Sequence, residues 1–485
     1  MTWRGHSSRR FREAASPVLQ RFPKAVRFSP LSAVAWPERR RDESRRGSLE
    51  NPSPLPARCK PDMRPDESGR GRHECHVAVL LLCLAPVCLG ARVKTGLEVL
   101  IGQDFAPLEG KRVGVITAQT GVTEDGRRIV DVLAHAPGVK LGAIFAPEHG
   151  LEGNREDRNI DDSVDRSTGV PVYSLYNAGH YRPTPEMLKD VDALIYDIQQ
   201  NGARFLTRIT TLGYTMEAAA QKGIPYYVLD RPNGINGVDF EGPLLDGKYV
   251  SFVGYMRMPI RHGMTAGELA EMYNGEKHLG VDLHVIRMEG WKRSMWYDET
   301  GLTWIDPSPN IHNVTEAALY PGVCLLESPQ ISVGRGTDTP FERIGAPWYR
   351  ASEVADYLNA RPIPGVRFVA RRFTPRASVY KDQECEGFDI LLVNREVFDP
   401  VLLGMELLSA TLKFHPGKFQ LDGVMRLLGS DEAAARLKRG ETGREVLQAM
   451  RGQLAEFARI RAKYLLYDDG NRTPLRAQVL GQLKP

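Results

Sequence analysis

Hydrolysis at a sugar or acyl centre needs a proton donor held partly out of water, and a cation wherever the ligand is an acid. Glu148 best meets the first need: it follows an apolar run and Pro147 and precedes His149 and Gly150. A carboxyl group at a strand end, shielded by the sheet, can have its pKa raised enough for general-acid work. The plainer reading is that Glu148 caps the turn. Glu217, one or two turns into a helix after Thr210-Thr211, is a second carboxyl if its side chain points to the same rim, and a solvated helix residue if not. Glycoside hydrolysis uses two acidic groups, or one with a substitute nucleophile. His149 is a metal-ligand type, but His180, His262, His284 and His312 are scattered and none stands at ligand spacing, so neither metal nor cofactor is expected.

The cations are Arg204, Arg231 and Arg335. Asp197 and Asp230 each end an apolar run and match Arg204 and Arg231, either as substrate contacts or as a buried ion-pair network. Gln199 and Asn233 lie in the same polar clusters. In the segment 327–337, Gly334 and Gly336 flank Arg335, which lets backbone approach a ligand while the guanidinium pairs with a carboxylate. The alternative is a structural loop stitched by Arg335 and Glu342. Trp304 and Trp348 nearby suit a sugar acid, since sugar rings pack on aromatic faces. No Gly-x-Ser-x-Gly elbow surrounds Ser328 or Ser332, which argues against a serine hydrolase.

These residues require elements that end along one edge. Continuous apolar runs at 112–117, 141–145, 193–197, 225–230 and 282–286 read as buried parallel strands. Segments 127–135, 185–190, 211–223 and 265–273 carry helical spacing, so the pattern is an open α/β sheet with every strand's carboxyl end on one rim. No Gly-x-Gly-x-x-Gly follows the first strand, so a dinucleotide site is not supported. After a Trp-, Pro- and Asp-rich stretch, helices at 352–357, 400–414 and 445–466 with strands at 366–370 and 388–393 predict a smaller α+β domain. The expected boundaries are 92–294 and 295–485, with the substrate in the cleft between them.

Residues 1–74 are crowded with Arg, Pro and Ser and read as a disordered or artefactual basic extension. From Met63 an Arg-rich stretch precedes an apolar run from Val77 to Leu89 and small residues at Gly90 and Ala91, the layout of a signal peptide over 75–91. A secreted or periplasmic location follows, with no integral membrane segment in the mature chain. Cleavage there leaves Cys324 and Cys385, either paired or as buried thiols. Lys and Arg total 64 against 60 Asp and Glu, and the surplus is concentrated at the start, so no nucleic-acid footprint is expected.

Six motifs in order carry a resemblance: Ala146 to Gly150; Asp197 to Gln199 with Gly202 to Phe205; Leu229 to Asn233; Pro307 to Asn310; Gly334 to Thr337; and Pro340 to Glu342 with Gly345 to Trp348. Over about residues 95–468 the chain resembles the exo-β-N-acetylmuramidases of glycoside hydrolase family 171. It departs from their pattern at Gln200-Asn201, at Leu206 and Arg208 around Thr207, and at Gly234. The resemblance implies a Rossmann-like catalytic domain with an auxiliary domain completing the cleft. It also implies release of terminal β-1,4-linked N-acetylmuramic acid from the non-reducing ends of peptidoglycan fragments. Glu148 would be the catalytic acid and Glu217 a second carboxylate, with Arg335 or Arg204 on the lactyl carboxylate. The competing expectation is a receptor of the cell envelope that binds a muropeptide without chemistry.

Overall fold

The computed structural model describes residues 92–468 apart from 158 and 178. The expected extension and signal segment lie outside them.

The first half is built on seven strands: β1 (Arg112–Thr117), β2 (Lys140–Ala146), β3 (Ser163–Val164), β4 (Pro171–Ser174), β5 (Ala193–Asp197), β6 (Tyr226–Leu229) and, later in the chain, β9 (Leu283–Ile286). Their order is β3-β4-β2-β1-β5-β6-β9, parallel except for the β3–β4 pair. The five apolar runs are β1, β2, β5, β6 and β9; the first four are largely buried because both their faces are covered, whereas β9, at the sheet edge, is only partly buried, a departure from the expected buried strand. Val113, Val115 and Ile195 pack with Leu97, Leu100, Ile129 and Leu133 from helices α1 (Gly96–Gly102) and α2 (Ile129–Ala134). Ile116, Leu194 and Tyr196 point the other way, onto Ile209, Leu212, Leu269 and Tyr273 from α3 (Thr207–Lys222) and α4 (Ala266–Glu276). A two-stranded ribbon, β7 (Glu241–Leu244) with β8 (Pro259–Arg261), leads toward the second half.

The second half holds an antiparallel sheet of β10 (Arg343–Ala346), β11 (Val366–Phe373) and β12 (Cys385–Leu392), in the order β10-β12-β11. Helices α5 (Val314–Val323), α6 (Ala351–Asn359), α7 (Pro400–Phe414), α8 (Met425–Leu428), α9 (Asp431–Lys438), α10 (Gly443–Ala449) and α11 (Arg451–Arg461) complete it. Gly322 of α5 and Gly404 of α7 let these two helices touch backbone to backbone: a Cβ on Gly404 would meet the Gly322 carbonyl oxygen at 2.5 Å. Cys324 and Cys385 are both free and buried.

Two helical expectations differ. Residues 185–190 form turns rather than a helix. The run 445–466 breaks at Met450 into α10 and α11, and α11 leaves the second half: Phe457 enters the core under α3 and α4, and Arg461 Nη2 donates to the Gly263 carbonyl at 2.8 Å. The segment from α11 to Tyr467 thus straps the sheet half, where Tyr467 donates its hydroxyl to Asp230 at 2.7 Å.

Candidate active site

Where β2 ends, Pro147 turns the chain and presents Glu148, half-buried, to a cavity of about 800 Å³. His149 adopts φ 72°, and its Nδ1 lies 2.6 Å from the Arg155 carbonyl oxygen. Burial, and then the Arg208 charge, hold the His149 pKa below its ordinary value. Thr207, the first residue of α3, donates its hydroxyl to Glu148 Oε2 at 2.6 Å. That bond fixes the carboxyl plane and leaves Oε1 without a protein partner among the described residues.

Arg208 follows and lines the same cavity, yet it is only 1% exposed. Its Nη2 donates to the Pro307 carbonyl at 2.8 Å, while Nη1 is buried with no partner. Burial pushes its pKa down, opposed by Tyr196 and Glu148, but a guanidinium stays protonated throughout the working range. A buried cation with an idle donor and no carboxylate in hydrogen-bond reach is costly unless an anion is supplied.

The loop carrying Pro307 to Asn310 forms the facing wall. The sheet half anchors it at three points: Arg208 on Pro307, Gln119 Nε2 to the Asp306 carbonyl at 2.6 Å, and Glu156 Oε1 accepting from Asn310 Nδ2 at 2.8 Å. Beyond it, His312 lines the cavity with Nδ1 2.8 Å from Asp306 Oδ2. The second half contributes Tyr320, Cys324, Glu327 and Arg335. Arg335 is paired with Glu327 at 2.8 Å; burial alone would lower its pKa, but Glu327 outweighs that and raises it. Gly336, at φ 78°, must be glycine, since a Cβ would meet the Ala377 nitrogen at 2.4 Å.

Of the residues expected from sequence, then, Glu148, His149 and Arg335 meet in one cavity. The others lie elsewhere. Glu217 sits ten residues along α3 from Thr207, about 15 Å at the rise of a helix. It is occupied by Arg182 at 3.0 Å and the Tyr255 hydroxyl at 2.8 Å. Arg204 is fully buried and spends both amino groups of its guanidinium on the carbonyls of Pro243, Met258, Leu427 and Leu428, which joins the two halves; its Nε is buried without a partner, but the residue lies outside the cavity. Asp197 and Arg231 form a buried ion pair with a second bond at 3.0 Å. Asp230 accepts from Thr265 Oγ1, the Gly267 N–H and Tyr467 and so fastens α4. Asn233 bonds the Met264 carbonyl at 2.9 Å and the Ile235 N–H at 3.1 Å within its own turn. Gln199 holds the Pro232 carbonyl at 2.6 Å and, with Arg231, lines a separate pocket of about 110 Å³. Glu342 is half-buried, its pKa raised by burial, and lies beside Asn313 and Arg343 outside the cavity.

Sequence reasoning missed Thr207, Arg208, Glu156 and the Asp306–His312 pair. The signal for three of them was adjacency: Thr207 and Arg208 stand two and three residues past Phe205 of the Gly202 to Phe205 motif, and His312 stands two residues past Asn310.

The N-terminal domain of exo-beta-N-acetylmuramidase NamZ matches residues 113–315 and its C-terminal domain residues 318–467. Peptidoglycan beta-N-acetylmuramidase NamZ of Bacillus subtilis (strain 168) is 40% identical over 380 residues, 78% of this chain and 92% of that protein. The crystal structure of a DUF1343 family protein from Bacteroides fragilis NCTC 9343 superposes with a TM-score of 0.72 at 39% identity, covering 78% of this chain and 99% of that one. A second DUF1343 protein of the same organism gives 0.63 at 31% identity with the same coverage. The chain belongs to the NamZ family of exo-beta-N-acetylmuramidases.

Proposed function

We propose that this protein is a glycoside hydrolase that removes terminal β-1,4-linked N-acetylmuramic acid from the non-reducing ends of peptidoglycan fragments. One observation carries the reading: Glu148, oriented by Thr207, shares a cavity with the buried, half-idle guanidinium of Arg208. Muramic acid differs from glucosamine by an ether-linked lactyl carboxylate, and Arg208 Nη1 is the donor that such an anion would satisfy. Glu148 Oε1 then stands free to hand a proton to the departing sugar oxygen. A volume of about 800 Å³ lies within the range of small-ligand sites.

The test is release of chromophore from 4-nitrophenyl β-N-acetylmuramide against the matching β-N-acetylglucosaminide. The unmutated chain turns over the muramide preferentially, and Glu148→Gln loses turnover of a β-N-acetylmuramide with a poor leaving group, whose departing oxygen needs a proton, while still binding the sugar. No turnover on any muramide, with binding intact, assigns the chain to a sugar-binding receptor instead. We also propose export with removal of residues 75–91, which N-terminal sequencing of the mature protein checks.

A further inference from the structure

Glu148 accounts for one end of the reaction, the leaving group; nothing above activates the water. Four other groups in the cavity have the chemistry to do so: Glu327, Glu156, His149 and His312. His149 adjoins the acid on the same turn, and its Nδ1 is held by a backbone carbonyl and not by a carboxylate. Glu327 is consumed, since both its oxygens contact Arg335 and one also accepts from Cys324 Sγ. Glu156 and His312 are both exposed, but Glu156 Oε1 accepts from Asn310, a bond that ties down the loop.

His312 is placed differently. Asp306 Oδ2 lies 2.8 Å from its Nδ1, which sets the tautomer: the proton sits on Nδ1, shared with the carboxylate, and Nε2 carries the lone pair. The backbone of His312 is equally fixed. It precedes Asn313, the N-cap of α5, whose side chain accepts from the Glu316 N–H at 2.9 Å, while the Glu316 carboxylate accepts in return from the His312 N–H. Asp306 is held through its own carbonyl by Gln119. A base oriented by a carboxylate, on a loop pinned from both halves and facing the same cavity as an oriented acid, is the arrangement that nucleophile activation requires.

We propose that His312 is the general base of an inverting hydrolysis, with Asp306 as its positioning residue. The proposal rests on the glycosidase reading above. Water attacks C1 on the face opposite the leaving oxygen as the C1–O bond breaks. Glu148 Oε1 gives its proton to that oxygen, and His312 Nε2 takes one from the water, leaving a glutamate and an imidazolium; solvent returns the proton from His312 to Glu148.

The experiment is proton NMR of the first-formed N-acetylmuramic acid from an aryl β-muramide, together with kinetics of His312→Ala, His312→Gln and Asp306→Asn. The α-anomer appears first. Both His312 variants lose about 10²–10⁴ in kcat with KM within about threefold. Azide, which needs no base, restores turnover of His312→Ala as the α-glycosyl azide. Asp306→Asn loses kcat without moving KM. Activated leaving groups rescue Glu148→Gln but neither His312 variant. First appearance of the β-anomer, or a His312→Ala enzyme within tenfold of the unmutated rate, overturns the dyad while leaving the glycosidase reading intact. No sugar release by the unmutated protein removes both.

Discussion

At the ends of β5 and β6 the carboxylates of Asp197 and Asp230 are surrounded by protein donors, whereas at the end of β2 the carboxyl group of Glu148 has one, from Thr207. The arginines divide in the same way. Arg231 closes on Asp197, while Arg208, equally buried, keeps one amino group idle beside the cavity. Both regions belong to one rim and use the same residue types, so type and strand-end position do not identify the site. What separates them is whether the fold already consumes each group's hydrogen bonds.

The largest effect belongs to the open region. Glu148→Gln keeps the Thr207 bond and removes only the proton, so kcat on an aryl muramide with a poor leaving group falls about 10³-fold while the melting temperature stays put. A fall in both would move Glu148 into the saturated class. Asp197→Ala inverts the pattern: it strands a buried Arg231, costing about 3–5 kcal/mol in urea unfolding. The third effect comes from Asp230, whose pKa burial pushes up to about 6. The unfolded chain ionises this group near 3.8, so its contribution to stability is full below that pH and is lost as pH rises through about 6. The change is up to about 3 kcal/mol. Denaturant midpoints of the unmutated chain against Asp230→Asn over that window isolate it; parallel curves would refute it. Next, Arg208→Lys keeps the charge but loses the fork, so KM for the muramide rises about 10-fold or more while the glucosaminide is unaffected.

Much of this architecture was readable because short continuous Val, Ile and Leu runs, bounded by polar or Gly and Pro residues and alternating with helical spacing, suit the strands of a covered parallel sheet. β3 and β4 were not, because Ser163–Val164 and Pro171–Ser174 are short, partly polar edge segments. The site was readable at Glu148 and His149, where strand, proline and turn coincide, and at Arg335 between its two glycines. Arg204 and Arg208 show why the rest was hidden. They stand four residues apart in the same run, but Arg204 precedes α3 and turns back into carbonyl oxygens, whereas Arg208 is in its first turn and reaches the loop at Pro307. Leu427 lies 223 residues from Arg204 and Pro307 lies 99 residues from Arg208, and no local pattern announces them. The Asp306–His312 pair spans only six residues, but a Pro-rich loop leaves the approach of the two side chains undetermined until both halves are folded around it.

Glu217 gives the smallest effect and the sharpest control. It is a carboxylate on the helix that begins in the cavity, so any account based on residue type would make it catalytic. Burial would raise its pKa, but the Tyr255 hydroxyl and Arg182 more than offset that and hold it below the usual value. It therefore remains an anion committed to neighbours: Arg182, which stacks on Tyr214 at 3.6 Å, and Lys277 at 3.4 Å. Glu217→Gln keeps an acceptor for Tyr255 and loses only the charge. Because Arg182 is half exposed, water screens most of that loss, and stability falls by about 1 kcal/mol or less. Steady-state kcat and KM on the muramide stay within about twofold, since a neutral amide some 15 Å along the helix neither donates to the leaving oxygen nor perturbs Glu148. A 100-fold loss of kcat with unchanged melting would mean that the reacting centre reaches Glu217, and the division of the rim into spent and unspent groups would fail at that residue.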